Sequence, residues 1–179
     1  MPHAPHRATG TSAIDCIVVT VSDTRTEKTD RSGRFIRRAL EKRGHRVLEH
    51  PILPDEPRRI TRYLRGLARR RSRARIVILT GGTGLAPRDR TYEAVDALLD
   101  KRLDGFGELF RGLSYATVGS RAMLSRAVAG VASGRLLFSI PGSEAAVRLA
   151  MGRLILPEMG HLVDLLGGGA APTRRPAVR

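Results

Sequence analysis

Cysteine and aromatic residues are scarce in this sequence of 179 residues, and tryptophan is absent. The single cysteine, Cys16, excludes a disulfide framework within the chain. Aromatic residues make up 4% of the composition, which argues against a binder of single-stranded nucleic acid, because such proteins stack bases on aromatic rings. Residues 1–12 contain no apolar signal segment, and no run approaches the roughly 18 apolar residues of a transmembrane helix. We therefore expect a cytoplasmic protein with no membrane partner.

Acidic residues are few beside basic ones. The chain carries 32 Lys and Arg against 17 Asp and Glu, a net charge of +15. Such an excess favours anionic partners, which could be nucleic acid, a membrane surface or a small phosphorylated ligand. A surface that is merely solvated by arginine is the alternative. Because the arginines are spread over every segment instead of forming one stripe, we expect a small anionic ligand and no nucleic-acid partner.

The length and the composition, which is 41% hydrophobic, indicate one globular domain. We place this domain at residues 13–166. Residues 1–12 and 167–179 have the composition of tails; the second, GGGAAPTRRPAVR, is rich in Gly, Pro and Arg and has nothing to bury.

Apolar strand-like runs alternate with helical patterns along the domain. Strands are predicted at residues 13–21, 45–53, 74–80 and 136–140. Helices are predicted at 32–43, after PDEP, after Thr91, at 104–119, and from PGS to a break at Pro157, followed by a last helix. The inward faces of the first three helices would comprise Phe35, Ile36, Ala39, Leu40, Ile60, Tyr63, Leu64, Leu67, Ala94, Val95, Leu98 and Leu99. This alternation predicts an α/β fold with a mostly parallel sheet.

The loops that leave the predicted strands are SDTRT, PDEP, TGGTGLAPRD and PGS. Open α/β sheets bind ligands beyond the carboxyl ends of their strands. The four loops should therefore share one edge and form the functional site.

The loop at residues 80–91, TGGTGLAPRDRT, is suited to an anion. Gly81, Gly82 and Gly84 would let backbone N–H groups point outward unobstructed, and a helix N-terminus follows. The loop is neither a Walker A motif nor a GxGxxG motif, because no GK[ST] follows and Pro87 stands where the third glycine should be. A tight turn after a strand is the alternative.

Two of the acids in these loops, Asp55 and Asp89, have more than one possible role. A carboxylate at Asp89 would repel a phosphate on the glycine loop unless a cation lay between them, as Mg²⁺ does in nucleotide sites. The alternative is that Asp89 caps the next helix, but Thr91 can fill that role. Asp55 could equally be the N-cap of a helix with Pro57 near its first position.

Other reactive residues have structural alternatives. Asp23 suits a turn, Asp30 or Ser32 can cap a helix, and Ser143 can cap the helix that follows it. The PGS turn could also contact a ligand through its backbone. No His pair has the spacing of a zinc site, and no G-x-S-x-G nucleophile motif is present.

Seven segments together resemble the MoaB/Mog family of molybdenum cofactor biosynthesis. In chain order they are TVSDTRT, DRSG, PDE, TGGTGLAPRDRT, GFGELFR, MLSRAVAG and IPGS. The resemblance covers residues 13–166. The segments GFGELFRGLS and SRAVAGVA, with the short PGS, are closer to the MoaB branch than to the Mog branch.

The resemblance implies a three-layer α/β/α fold and a homo-oligomer, either a trimer or a hexamer. It also implies an Mg²⁺-dependent molybdopterin adenylyltransferase, which joins ATP and molybdopterin to give adenylylated molybdopterin and pyrophosphate. The catalytic and metal-binding acids would be Asp55 and Asp89, in the PDE and PRDxT motifs. Some MoaB members depart from the PDE motif, so a catalytically silent binding protein or scaffold is the alternative. Arg90 stands where the family commonly has a small apolar residue.

The same resemblance and the loop positions give the expected substrate and nucleotide contacts. They are Ser22, Asp23, Asp30, Ser32, Gly81, Gly82, Thr83, Gly84, Arg88, Ser125, Arg126, Pro141, Gly142 and Ser143. Arg88 and Arg126 would steady anionic oxygens, with surface solvation as their alternative. We expect Ser22, Asp55, Gly82, Asp89 and Gly142 to line one pocket. We also expect Phe106, Leu109, Phe110 and Leu113 to supply apolar surface between subunits.

Overall fold

The computed structural model of the protein describes residues 13–167. The strands are β1 (Asp15–Val21), β2 (Arg46–Glu49), β3 (Ile52–Leu53), β4 (Ile76–Thr80), β5 (Lys101–Arg102), β6 (Val128–Ala132) and β7 (Arg135–Ile140). The helices are α1 (Arg31–Lys42), α2 (Pro57–Arg69), α3 (Thr91–Asp96), α4 (Asp104–Val118), α5 (Glu144–Ala150) and α6 (Leu156–Leu165). The predicted tails, apart from Gly167, lie outside the described residues, and the domain limits stay a prediction.

All seven strands form one sheet, ordered β2-β1-β4-β7-β6-β5, with β3 also paired to β1. Strand β1 runs parallel to β2, β3 and β4, and β4 runs parallel to β7. Strands β6 and β5 are antiparallel additions at one edge. The predicted mostly parallel sheet is confirmed, and the carboxyl ends of β1, β3, β4 and β7 lie along the same edge.

Alternate side chains of each central strand face two separate cores. Cys16 and Val18 of β1 pack with α1, α4, α5 and α6 on one face of the sheet. Ile17 and Val19 pack with α2 and α3 on the other face. Each fully buried aliphatic side chain contributes about 1.5–3 kcal/mol through the hydrophobic effect, so both helical layers are firmly held. The structure thus confirms the three-layer α/β/α fold, and no helix within residues 13–167 combines the length and the apolar character needed to cross a bilayer.

The predicted strand at residues 45–53 is wrong as a single element. It consists of β2 and β3, separated by His50 and Pro51. Proline has no N–H group to donate in a sheet ladder. The segment stays attached to β1 through the Pro51 carbonyl, which accepts the Thr20 N–H at 3.0 Å. Strands β5 and β6 were not predicted. Their sequences, KR and VAGVA, are short or built from small residues. They are strands because β6 pairs with the edge of β7 and β5 pairs with β6.

The predicted break at Pro157 is also wrong. Helix α5 continues through a π-helical turn at Met151–Ile155 directly into α6. The Leu156 N–H donates to the Met151 carbonyl, and Pro157 occupies the first turn of α6. The wider π turn accommodates a residue that has no N–H to donate, so the proline changes the hydrogen-bonding pattern without ending the helix.

Candidate active site

Loops from four parallel strands, β1, β3, β4 and β7, meet at the carboxyl edge of the sheet. The Ser22 N–H donates to the Leu53 carbonyl at 2.8 Å, and the Gly81 N–H donates to the Ile140 carbonyl at 3.1 Å. Gly81 has a φ of 107°, and a Cβ there would collide with the Val21 carbonyl, while Gly142 packs against the Gly81 backbone. The strand-end rule therefore located this group of loops correctly.

A cavity of about 870 Å³ opens between these loops. Of the predicted contacts it is lined by Ser22, Asp30, Ser32, Gly81, Gly142 and Ser143. The lining also includes residues that were not predicted, among them Thr20, Thr24, Arg25, Lys28, Arg31 and Glu144. The volume suits a small-molecule ligand. Asp55, Gly82 and Asp89 are not among the lining residues, so the expectation of one pocket for all five residues is wrong in that respect.

Asp55 lies beside this cavity and is buried, with 8% of its surface exposed. Its Oδ1 accepts the Thr91 hydroxyl at 3.3 Å and the Arg90 N–H at 3.5 Å. The N-cap residue of α2 is Glu56, so the capping alternative for Asp55 is wrong for its own helix. The predicted cap at Thr91 is wrong too, because Thr91 is the first residue of α3 and its hydroxyl is donated to Asp55.

The carboxylates of Asp23 and Asp89 lie close enough to Asp55 to influence its charge. Burial raises the pKa of Asp55 above its ordinary value, in spite of hydrogen bonds from Arg90 and Thr91, and the negative charges of Asp89 and Asp23 raise this pKa further. Asp89 is not the N-cap of α3, a position that Arg90 occupies, so its capping alternative is excluded. Such a cluster of acids is electrostatically costly unless a cation neutralises it.

Glycines make room for the two acids. Gly82 has a φ of 61°, and a Cβ there would collide with the Thr91 hydroxyl and the Asp55 carboxylate. At Gly84 a Cβ would collide with the Asp89 carboxylate. The sequence suggested glycines that expose N–H groups to a ligand; the structure shows in addition that two of them allow the acids to approach the loop backbone.

Asp30 caps helix α1, as predicted, and belongs to a buried network. Its Oδ1 accepts the Gly33 N–H at 2.8 Å, and its Oδ2 accepts the Thr20 hydroxyl at 2.6 Å. His50 Nε2 lies 3.0 Å from the same Oδ2. Burial works to raise the pKa of Asp30, but the hydrogen bonds from His50, Thr20 and Gly33 outweigh it and lower this pKa. Thr20 and His50 were not predicted to take part, because nothing in a strand pattern marks their contact with Asp30.

Two of the four predicted serines, Ser32 and Ser143, tie parts of the site together. Ser32 donates its hydroxyl to the Gly142 carbonyl at 2.8 Å, which ties α1 to the last loop of the site. Ser143 caps α5, as predicted, by accepting the Ala146 N–H at 3.3 Å. The Pro141 carbonyl accepts the Thr80 hydroxyl at 3.3 Å. These bonds fix the shape of the cavity wall next to the glycine loop.

The two predicted arginines engage protein groups. Arg88 Nε donates to Asp23 Oδ2 at 2.6 Å, and this hydrogen bond lowers the pKa of Asp23. The Asp23 Oδ1 in turn accepts the Asp55 N–H at 3.3 Å. Arg126 donates to the Thr83 and Gly84 carbonyls at 2.9 and 2.6 Å. Substrate contacts by these arginines, by Thr83 and by Ser125, which ends the 3₁₀ helix Gly119–Leu124, stay predictions.

The acids suit a metal ion that a substrate helps to hold. Among residues 13–167, no three His, Cys, Asp or Glu side chains converge to enclose a metal. Mg²⁺ requires fewer protein ligands, since it commonly takes one or two carboxylates plus phosphate oxygens and water. Asp55 and Asp89 fit that pattern as a pair, since both carboxylates approach the glycine loop, Asp55 at Gly82 and Asp89 at Gly84.

Comparison with known proteins agrees with this geometry. Residues 17–161 match the family described as "Probable molybdopterin binding domain". "Molybdenum cofactor biosynthesis protein B" of Halalkalibacterium halodurans is 49% identical over 159 residues, which are 88% of this chain and 93% of the relative. A crystal structure of a molybdenum cofactor biosynthesis protein B is 46% identical with a TM-score of 0.83, covering 87% of this chain and 97% of that one.

A tungsten cofactor synthesizing protein MoaB from Pyrococcus furiosus is 35% identical with a TM-score of 0.77, covering 86% of this chain and 97% of that one. The matched segment contains both acids, the glycine loop and the cavity. This chain therefore belongs to the MoaB/Mog family of molybdenum cofactor biosynthesis, on its MoaB-like branch.

Proposed function

We propose that this protein acts in molybdenum cofactor biosynthesis by transferring AMP from ATP to molybdopterin, with release of pyrophosphate. The observation that carries the proposal is the meeting of Asp55 and Asp89 around the glycine loop. Gly81, in the same glycine loop, lines a cavity large enough for a substrate. The names of the relatives support the pathway, and the retained acids support the reaction.

The cavity has the groups that an anionic substrate requires. Arg25, Lys28 and Arg31 stand on its wall, and the backbone of Gly142 and Ser143 forms another part. The molybdopterin phosphate is already ionised and needs no strong base. Its oxygen attacks the α-phosphorus of ATP, the bond from that phosphorus to the bridging oxygen breaks, and pyrophosphate leaves. Charge crowding is the barrier, so the protein contributes positioning and electrostatic stabilisation.

Asp55 and Asp89 would hold Mg²⁺ in this reaction. The metal supplies positive charge that neutralises the phosphates and the leaving pyrophosphate. Asp55 is kept in place by the Thr91 hydroxyl on one side and by Asp23, through its own N–H, on the other. The ion pair between Arg88 and Asp23 fixes the Asp23 carboxylate in turn, and it links the loop after β1 to the glycine loop.

A direct assay tests the proposal. Purified protein would be mixed with ATP, Mg²⁺ and molybdopterin, and pyrophosphate release would be measured together with molybdopterin binding. We expect pyrophosphate to appear only when all three are present. Tight molybdopterin binding without pyrophosphate release would contradict the proposed transferase activity. It would favour the alternative, a catalytically silent MoaB-like binding protein or scaffold.

We also propose that the protein is a homo-oligomer built on a trimer, with the hexamer as the larger possibility. Phe106 and Phe110, expected between subunits, are buried in the protein's own core, so that part of the expectation is wrong. Leu109 is exposed, as are other large apolar side chains on α4 and the following 3₁₀ helix, namely Tyr115, Val118, Met123 and Leu124. Such a group of exposed apolar residues is suited to an interface.

A further inference from the structure

Arg126, one of the predicted contacts, donates three hydrogen bonds to the glycine loop. Its Nε donates to the Thr83 carbonyl at 2.9 Å, and its NH2 group donates to the Gly84 and Asp89 carbonyls at 2.6 and 3.1 Å. One guanidinium therefore bonds to both ends of the segment that runs from Thr83 to Asp89. Arginine suits this task because its donors form a rigid planar fork.

The guanidinium is itself held in place by α3. Its Nη1 forms an ion pair with Glu93, and its Cζ lies over the Tyr92 ring, 5.1 Å from the ring centre. The Arg126 side chain is 22% exposed. An arginine with an acid, an aromatic ring and three carbonyls around it is already committed to protein groups and is poorly placed to bind a substrate phosphate.

The bonds to the carbonyls orient the N–H groups of the loop. In a trans peptide the carbonyl oxygen and the next N–H point in opposite directions. Turning the Asp89 carbonyl towards Arg126 therefore turns the Arg90 N–H away from it, and that N–H lies 3.5 Å from Asp55 Oδ1. By the same rule, the N–H groups of Gly84 and Leu85 face away from Arg126. The peptide group between Asp89 and Arg90 thus connects Arg126 to both Asp89 and Asp55.

We propose that Arg126 is a positioning residue: it fixes three peptide planes of the glycine loop and thereby sets Asp89 and Asp55 relative to each other. This inference rests on the proposed function, in which the two acids hold the metal and the loop N–H groups face phosphate. It assigns Arg126 a role through the protein backbone, in place of the direct contact with substrate oxygens that its charge suggested.

The test uses two variants. Arg126→Gln removes both the charge and the planar guanidinium with its several donors, and Arg126→Lys keeps only the charge. Arg62→Gln is the control, since Arg62 is exposed on α2, away from the loop. The first measurement is amide hydrogen exchange of residues 81–93 in the protein without substrates. We expect faster exchange in Arg126→Gln, an intermediate rate in Arg126→Lys, and the wild-type rate in Arg62→Gln.

The second measurement is adenylyl transfer and molybdopterin binding on the same samples. We expect Arg126→Gln to lower kcat by roughly tenfold to a hundredfold, the cost of an active-site displacement on the order of 1 Å, with molybdopterin affinity unchanged. A loss of affinity equal to the loss of kcat would overturn the proposal in favour of direct substrate contact. Wild-type exchange in Arg126→Gln would also overturn it.

The outcomes separate this inference from the proposed function. If the wild type transfers no AMP, the proposed function fails, while the exchange experiment still decides whether Arg126 holds the loop. If Arg126→Gln does not fold, Arg126→Lys and Glu93→Gln take its place. Glu93→Gln removes the ion pair but leaves the three carbonyl bonds, so we expect it to change exchange less than Arg126→Lys does; a larger change would contradict the role of the carbonyl bonds.

Discussion

The Thr91 hydroxyl donates to Asp55 Oδ1 at 3.3 Å, across 36 residues of sequence. This bond ties the first residue of α3 to the acid that precedes α2, so the two helices on one face of the sheet share an anchor at the candidate active site. The position of Asp55 therefore depends on the glycine loop, which carries the chain from β4 to Thr91.

Asp89→Asn should lower kcat for adenylyl transfer by roughly a hundredfold, the scale of removing one preorganised electrostatic contact. Asparagine keeps the size of the side chain and removes its charge. Because Asp89 is not the N-cap of α3, loss of a helix cap would not explain the result. Molybdopterin affinity should survive. Pyrophosphate release, molybdopterin binding and thermal unfolding measured on one sample decide the matter; unchanged transfer in a folded variant would rule out the metal role.

Asp55→Asn should stabilise the substrate-free protein near neutral pH. The folded-state pKa of Asp55 is raised, chiefly by burial, so its charged form costs stability once the pH rises through that pKa. Below the ordinary carboxyl pKa of about 4 the group is protonated in both states and the difference should vanish. Thermal unfolding across this pH range checks the sign, with Asp164→Asn, exposed on α6, as the control. A variant less stable than the wild type at pH 7 would contradict the prediction.

Gly82→Ala and Gly66→Ala should have opposite effects. Gly82 has positive φ and no room for a Cβ beside Asp55 and Thr91, so alanine should destabilise the fold by at least about 1–2 kcal/mol. Gly66 lies in α2 with open space around it, so alanine should stabilise it by about 0.5–1 kcal/mol. Denaturant unfolding measures both changes. Equal effects at the two positions would refute the steric argument.

Thr20→Val should destabilise the protein by about 1–3 kcal/mol, because it removes a hydroxyl donor from the buried Asp30 carboxylate and leaves the side-chain volume nearly unchanged. The pKa of Asp30 is lowered, so its stabilisation is present above the ordinary carboxyl pKa and is lost as the pH falls through the lowered value. The difference between variant and wild type should therefore shrink in acid. Unfolding free energies at several pH values test this, with Thr61→Val on α2 as the control.

Combined Leu109→Glu and Met123→Glu substitutions should convert the expected trimer into monomers. Their side chains are 59% and 75% exposed, so charges are tolerated in the isolated subunit and are costly only when another subunit covers them. Light scattering measures the mass. Leu165→Glu, at a position 69% exposed at the end of α6, is the control and should remain a trimer. A wild-type monomer at micromolar concentration would contradict the assembly.

Local patterns determined the elements of the fold that depend on neighbouring residues. Burial of Ile36 and Leu40 in α1 and of Ile60, Leu64 and Leu67 in α2 followed from helical periodicity. The caps at Asp30 and Ser143 followed from side chains that bond within their own first turn. Strands that need a distant partner were harder to recognise, which is why β6 was missed and why β2 and β3 were merged.

The residues of the candidate site were also named from the sequence, because loops after parallel strands converge at one edge whatever their composition. Their partners could not be named in that way. The bonds of Asp55 to Thr91, of Asp30 to Thr20 and His50, and of Arg126 to three loop carbonyls join residues that are 10 to 43 positions apart. Such contacts depend on how the strands are ordered and how closely the backbones approach. The sequence by itself determined which acids and glycines stand at the sheet edge, and only the tertiary structure decided that the glycines make room for the acids and that Arg126 holds the loop.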